Sequence, residues 1–290
     1  MTKELKADLS LLLVTVVWGA SFPIISLILK YIHPYSFIAI RYFLSGAILA
    51  IIFHKRFKHI NKKTVNAAVI IGIALFLGSV FQVVGLVYTT PSKSGFITGL
   101  YVVVVPIIMA VIYKNIPDTK TIMGIIFALV GLGVISIDSA LKINPGDFLT
   151  LLCAIAFAAQ IILVDKYIKD VDIILVTCIE TLVAGILGFV PAVIVENLRF
   201  TINLTFILCM IFMVIFCTIG AYMIQNKMQP YTNPTHAAII FLGEPVFGAI
   251  FSMIFGDKLT SKTLAGCALI LLGMIIINIK NNSSNEILEN

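Results

Sequence analysis

With 60% apolar and 12% charged residues over 290 positions, and a mean hydropathy of +1.09, the chain lies outside the range of soluble domains. Its net charge of +6 comes from lysines and arginines that sit mostly in short breaks between apolar stretches, a pattern that orients a chain in a bilayer and does not build a nucleic-acid surface. A hydrocarbon core about 30 Å thick takes roughly 20 apolar residues per helix, and the sequence reads as an all-α integral membrane protein of ten transmembrane helices.

The spans are predicted at 8–29, 34–53, 66–87, 92–113, 121–138, 147–165, 172–194, 204–226, 234–254 and 262–279. Lys3 and Lys6 precede the first span, but its apolar stretch is too long for a signal peptide and no small-residue cleavage site leads into a soluble chain. This span carries Trp18, the second Arg41, and the third Gln82. Between the second and third lies HKRFKHINKK at 54–63, the most polar break. The fourth span starts at the interfacial Lys93 and carries Tyr101 and Pro106, which frees the carbonyl of Val102. The fifth has no interior charge; its small residues Gly124, Ala128 and Gly131 suit a packing scaffold, with a homodimer as one use of that face. Gln160, Glu180 and Tyr222 follow in the sixth, seventh and eighth spans. The ninth begins near His236, which reads as interfacial, and holds Glu244 beside Pro245, which frees the carbonyl of Phe241. A polar tail over 280–290 follows the tenth.

With the N-terminus taken as cytoplasmic and Arg41 set aside, thirteen Lys and Arg fall in inner segments and six in outer ones, much of the excess being the 54–63 loop. The positive-inside rule then places both termini in the cytoplasm of a multi-pass cell-membrane protein. The five cysteines all fall within spans, without Cys-x-x-Cys spacing, and neither a phosphate loop nor a zinc motif is present. No cofactor, metal or direct use of ATP is expected.

The two halves of the chain resemble each other. At an offset of 139, Asp8 meets Asp147, Trp18 meets Phe157, Arg41 meets Glu180 and Gly46 meets Gly185. At 142, Gly124 meets Gly266 and Gly131 meets Gly273, and at 143 Tyr88, Thr89 and Pro91 meet Tyr231, Thr232 and Pro234. Five spans repeated once enter the membrane from opposite sides. The expected organisation is therefore two inverted-topology five-helix repeats, 8–138 and 147–279, an arrangement that commonly builds transporters with a midplane site between the repeats.

VVWGASFP in the first span, RYFLSG in the second, SGFITGLYVVVVPI in the fourth, HAAIIFLGEPVFGAI in the ninth and the glycine-spaced tenth together resemble the drug/metabolite transporter superfamily, specifically its EamA-type members. The resemblance covers roughly 8–279. It implies a ten-helix exporter of amino acids or related metabolites, with a central cavity walled by the first four helices of each repeat.

Ionisable residues inside a span face protein or a wet cavity, since lipid exposure costs on the order of a few kcal/mol or more. Arg41 and Glu180 lie at similar depths from opposite surfaces and are expected to bind a zwitterionic substrate, the arginine holding its carboxylate and the glutamate its ammonium. A structural ion pair, or an Arg41 that snorkels to the headgroups, accounts for the same residues. Trp18, Gln82, Tyr101, Gln160 and Tyr222 are further substrate-binding candidates, with interhelical hydrogen bonding as their other role. Glu244, Pro245 and Pro106 are assigned to coupling or gating, against static kinks and a protonated, merely bonded glutamate. The leading functional reading is a secondary transporter exporting small metabolites such as amino acids by alternating access. An intramembrane enzyme on a lipid-linked substrate would need paired histidines, a Ser-Lys or an Asp-Asp set, and a receptor would carry a soluble signalling domain; neither mark is visible.

Overall fold

The computed structural model describes residues 2–89, 91–114, 116–136, 145–253 and 260–278. The 280–290 tail, residues 137 and 138 of the fifth predicted span, residue 254 of the ninth, residue 279 of the tenth and the side chain of Lys93 lie outside that description. In chain order the helices are α1 (Lys3–Ile28), α2 (Pro34–Ile52), α3 (Lys62–Tyr88), α4 (Pro91–Gly99), α5 (Tyr101–Tyr113), α6 (Thr119–Ser136), α7 (Pro145–Tyr167), α8 (Ile173–Ile194), α9 (Leu204–Ile211), α10 (Ala221–Met228), α11 (Pro234–Phe241), α12 (Gly243–Ser252) and α13 (Ser261–Asn278). A π-helical segment, Phe212–Gly220, joins α9 to α10.

Among the described residues seven helices are long and apolar enough to cross a membrane, and three further apolar helices are shorter. These make the ten spans of two inverted five-helix repeats, with α4–α5, α9–α10 and α11–α12 each forming one span. Polar residues at the membrane surfaces start the helices by accepting from orphan backbone N–H groups. Asn61 does so for Thr64, Asn203 for Phe206, Asn233 for His236 and Asp118 for Thr121, each at 2.8 to 2.9 Å.

The major contacts cross between repeats: α2 packs on α8, α3 on α7 and α8, α1 on α12 and α10, and α6 on α13. The antiparallel pair α2 and α8 is clasped at both ends. Glu196, just past α8, accepts from the backbone N–H groups of Tyr35 and Ser36 at the start of α2, at 3.0 and 2.8 Å. At the other surface Arg56, just past α2, pairs with Asp172 at 2.8 Å, and Asp172 caps α8 through the N–H groups of Ile174 and Leu175.

The small-residue face of α6 is covered within the chain. A Cβ at Gly131 would lie 2.6 Å from the Gly266 carbonyl oxygen, and one at Gly273 would lie 2.6 Å from that of Gly124, so the two helices approach as closely as their glycines permit. The ground for expecting a homodimer through Gly124, Ala128 and Gly131 is thereby removed, because α13 occupies that face.

Candidate functional site

Between the repeats lies a cavity with about 610 Å³ of empty space, counting its mouth. Its apolar walls are aromatic: the Trp18 ring lies 5.4 Å from both Tyr222 and Phe241. Trp18 is fixed by its indole Nε1–H, which donates to the Cys217 carbonyl at 3.0 Å. Arg41 Nη2 donates to that same carbonyl at 3.2 Å, and Arg41 Nε to Thr218 Oγ1 at 2.8 Å. Both anchors sit in the π-helical segment, where backbone bonds reach five residues back and Thr218 Oγ1 likewise donates to the Met213 carbonyl at 2.8 Å.

Arg41 is buried, lines the cavity and has no carboxylate partner among the described residues. Its guanidinium lies 5.0 Å from the Tyr42 ring and 5.9 Å from that of Phe37, a cation–π setting that offsets part of its desolvation. Nη1 makes none of the described hydrogen bonds. This arginine does not snorkel; it is held inward, with Nε and Nη2 engaged.

Two helices of the wall are broken. The fourth span breaks at Leu100, between α4 and α5, and the ninth at Leu242, between α11 and α12. The prolines predicted to make these kinks are not at the breaks themselves. Pro245 stands in the first turn of α12, where a missing N–H costs nothing, and Pro106 lies within a continuous α5. Thr98 and Tyr101 flank the first break, Phe241 and Glu244 the second, and all four line the cavity. Glu244 is partly buried, and neither it nor Gln82 makes a hydrogen bond among those described.

The lining is paired by the repeat. At an offset of 139 Trp18 corresponds to Phe157, Ser21 to Gln160 and Phe22 to Ile161; at 143 Ser79 corresponds to Tyr222, Gln82 to Gln225, Thr98 to Phe241 and Tyr101 to Glu244. Arg41 and Tyr42 have no counterpart in the wall, because α8 contributes no lining residue. Six of the seven expected substrate-binding residues (Trp18, Arg41, Gln82, Tyr101, Gln160 and Tyr222) thus meet around one cavity, with Glu244 as a seventh lining residue.

Glu180 is the exception and corrects the zwitterion pair drawn from sequence. It is fully buried behind the wall, where its Oε1 accepts from Asn226 Nδ2 at 2.7 Å, and it forms no ion pair with Arg41. The reason is the angle at which α8 presents it: at that level the wall is made by Tyr222 and Gln225 of α10, while Asn226 of the same helix faces α8. Gln225, not singled out from sequence, donates to Gln160 Oε1 at 3.2 Å and to Gln229 Oε1 at 3.0 Å. The 143 offset that aligns Thr89 with Thr232 also puts it over Gln82, and that signal would have found it.

A ten-helix bundle with a polar, aromatic-walled cavity between inverted repeats now has named relatives. The profile of the EamA-like transporter family matches residues 5–137 and again 144–279. The chain belongs to this family. An Archaeoglobus fulgidus protein named as an uncharacterized transporter is 36% identical over 279 residues, spanning 96% of this chain and 87% of its own length. The Bacillus subtilis protein named uncharacterized transporter YyaM is 25% identical, spanning 94% of this chain and 93% of its own length. A solved crystal structure superimposes with a TM-score of 0.79 over 98% of this chain and 99% of its own at 15% identity, a likeness of fold. The protein is a multi-pass membrane transporter of a small-molecule substrate. Among the described residues no group of three or more His, Cys, Asp and Glu side chains is placed to hold a metal ion.

Proposed function

We propose that this EamA-like transporter exports zwitterionic metabolites of amino-acid size across the cell membrane by alternating access, with residues 8–138 and 147–279 as the two repeats and both termini in the cytoplasm. The observation that carries the reading is that the Arg41 guanidinium and the Glu244 carboxyl line one aromatic-walled cavity and have no ionic partner among the described residues. The free end of the Arg41 fork meets the solute's carboxylate, Glu244 its ammonium, and Trp18 and Tyr222 cover the apolar part. Tyr101, Gln82, Gln160 and Gln225 supply orienting hydrogen bonds. Glu244, beside Pro245 and the Leu242 break, also stands where a rocking motion would be felt first. Pro106, inside the continuous helix that follows the Leu100 break, is given no part in that motion.

Alternating access draws support from a matched pair of surface contacts. Thr89 Oγ1 of the first repeat donates to Asp147 of the second at 2.8 Å. At the repeat-equivalent position the Thr232 hydroxyl faces the Asp8 carboxyl in the same way, at a looser approach, where α1 packs on the turn that ends at Tyr231. Each repeat thus sets the same Thr–Asp pair against the other, as expected of two repeats that present equivalent surfaces to each other.

The test is a thermal-shift screen of the purified full-length protein against amino acids, the corresponding amines and the corresponding carboxylic acids. Ligand binding stabilises the folded carrier by mass action. Amino acids are expected to raise the melting temperature and the singly charged analogues to do so far less. Equal shifts from amines alone, or no shift from any amino acid, would sink the zwitterion reading.

A further inference from the structure

Behind the cavity wall the side chains of Glu180 and Asn226 form a polar site that substrate binding does not use. Both are fully buried. Asn226 Nδ2 donates to Glu180 Oε1 at 2.7 Å and to Thr177 Oγ1 at 3.0 Å, and Thr177 Oγ1 in turn donates to the Ile173 carbonyl at 2.9 Å. Two acceptors on the two bonded side chains are left over: Glu180 Oε2 and Asn226 Oδ1 have no hydrogen-bond partner. The amide's two protons are both in use, so the cluster is short of a donor. A buried carboxylate in this condition is costly, because a charge removed from water needs an ionic partner or a full set of hydrogen bonds.

The groups that face Glu180 do not supply that charge. From α3 it meets the backbone-only surface of Gly72, where a Cβ would lie 2.7 Å from the Glu180 carbonyl oxygen. From α10 it meets Asn226 and, one turn earlier on the same face, Tyr222, the titratable group within its electrostatic reach. On α8 itself the neighbours one turn to either side are Thr177 and Ala184, with Thr181 next in sequence. Neither described salt bridge involves Glu180. Arg41, the cation nearest in role, is tied to Thr218 and Cys217.

We propose that Glu180 and Asn226 form a proton-binding site, separate from the solute cavity, through which this transporter couples export to a proton gradient. A proton taken from water forms an O–H bond at Oε2. The carboxylate becomes a neutral acid, and its new hydroxyl is the donor that the cluster lacks. On release the same proton returns to water and the charge reappears. Tyr222 links the site to the solute: its ring lines the cavity against Trp18, and its hydroxyl lies 3.5 Å from that of Tyr42, which pairs with Ser79 at 2.7 Å. A change of charge at Glu180 is therefore felt on α10, the helix that presents Tyr222 and Gln225 to the solute. This coupling rests on the transport reading above, whereas the proton site itself does not.

The decisive measurement is infrared difference spectroscopy of the full-length protein in lipid nanodiscs as the pH is raised, with no solute present. A carboxylic-acid carbonyl stretch is expected in the wild type, vanishing reversibly on alkalinisation, absent from Glu180→Gln and shifted in frequency by Asn226→Leu. Should Glu180→Gln not purify, Glu180→Asp keeps the acid on a shorter stem and moves the band. Three results overturn the proposal: a wild-type band unchanged in Glu180→Gln, a Glu180 band that persists at every pH at which the protein is folded, and a band that responds to sodium instead of pH, which would mark an alkali-cation site. In proteoliposomes loaded with an amino acid that passed the thermal-shift screen, an imposed pH gradient should accelerate flux for the wild type and not for Glu180→Gln. If no amino acid passes but the band behaves as expected, the zwitterion reading has failed and the proton site stands.

Discussion

Single residues decide what the cavity can hold. Arg41 is immobilised through two of its three nitrogens, so a carboxylate arriving at the third finds the charge already oriented and little side-chain entropy is lost on binding. Arg41→Ala should weaken amino-acid binding by about 10- to 100-fold, the equivalent of ~1.5–3 kcal/mol for a hydrogen bond to a charged group. Glu244→Gln keeps the shape and removes the charge, and should lose zwitterions while retaining whatever affinity the cavity has for singly charged acids. Isothermal titration with the best amino acid from the screen checks both. Unchanged affinity in either variant removes that residue from the site.

At the scale of the helix, the clasped pair α2 and α8 carries the pH dependence that can be assigned outside the membrane. Burial works to raise the Asp172 carboxyl, but the hydrogen bond from Arg56, those from the Leu175 and Ile174 N–H groups and the Arg56 charge outweigh it and hold the group below its ordinary value of 3.8. A lowered folded value means that the cap contributes its stability above the unfolded value and loses it as pH falls through the folded one. Asp172→Asn keeps the helix cap but removes the ion pair with Arg56, and should therefore lower the melting temperature slightly at neutral pH, with ~0.2–1 kcal/mol the usual worth of a partly exposed pair. The gap from wild type should close below about pH 4; a gap that persists in acid would mean the carboxylate is not its source. The helices themselves were legible from sequence because apolar length and surface caps are local properties. The break at Leu242 was partly legible, since Pro245 leaves the Phe241 carbonyl beside it without a donor, whereas the break at Leu100 was not, since leucine is no helix breaker and Pro106 lies six residues further on. Azimuth was not legible. Arg41 and Glu180 are repeat partners in sequence, but only the packing of α10 against α8 tells that one faces the cavity and the other faces Asn226.

For the molecule as a whole, the inverted repeat sets the Thr89–Asp147 contact against its counterpart, Thr232 with Asp8. Asp147→Ala removes the made bond to Thr89 and should cost on the order of 1 kcal/mol, more if the threonine is left buried without an acceptor. Asp8→Ala removes the carboxyl that Thr232 faces and should cost a comparable or smaller amount, the approach being looser. Melting temperatures of the two variants, compared in one detergent, settle the matter; equal losses would show that both contacts form.

The pairing of Tyr101 with Glu244, each just past a helix break, has a consequence for how a solute travels. Rotating the protein by half a turn about its internal axis brings the wall positions of one repeat onto those of the other, but the side chains differ at most of the pairs. In charge, Arg41, which has no counterpart, and the Tyr101/Glu244 difference distinguish head from tail. Exchanging those two side chains, Tyr101→Glu with Glu244→Tyr, transplants the negative pole to the opposite broken helix while leaving composition and volume unchanged, and a passenger still anchored on Arg41 would then point its ammonium toward the fourth span instead of the ninth.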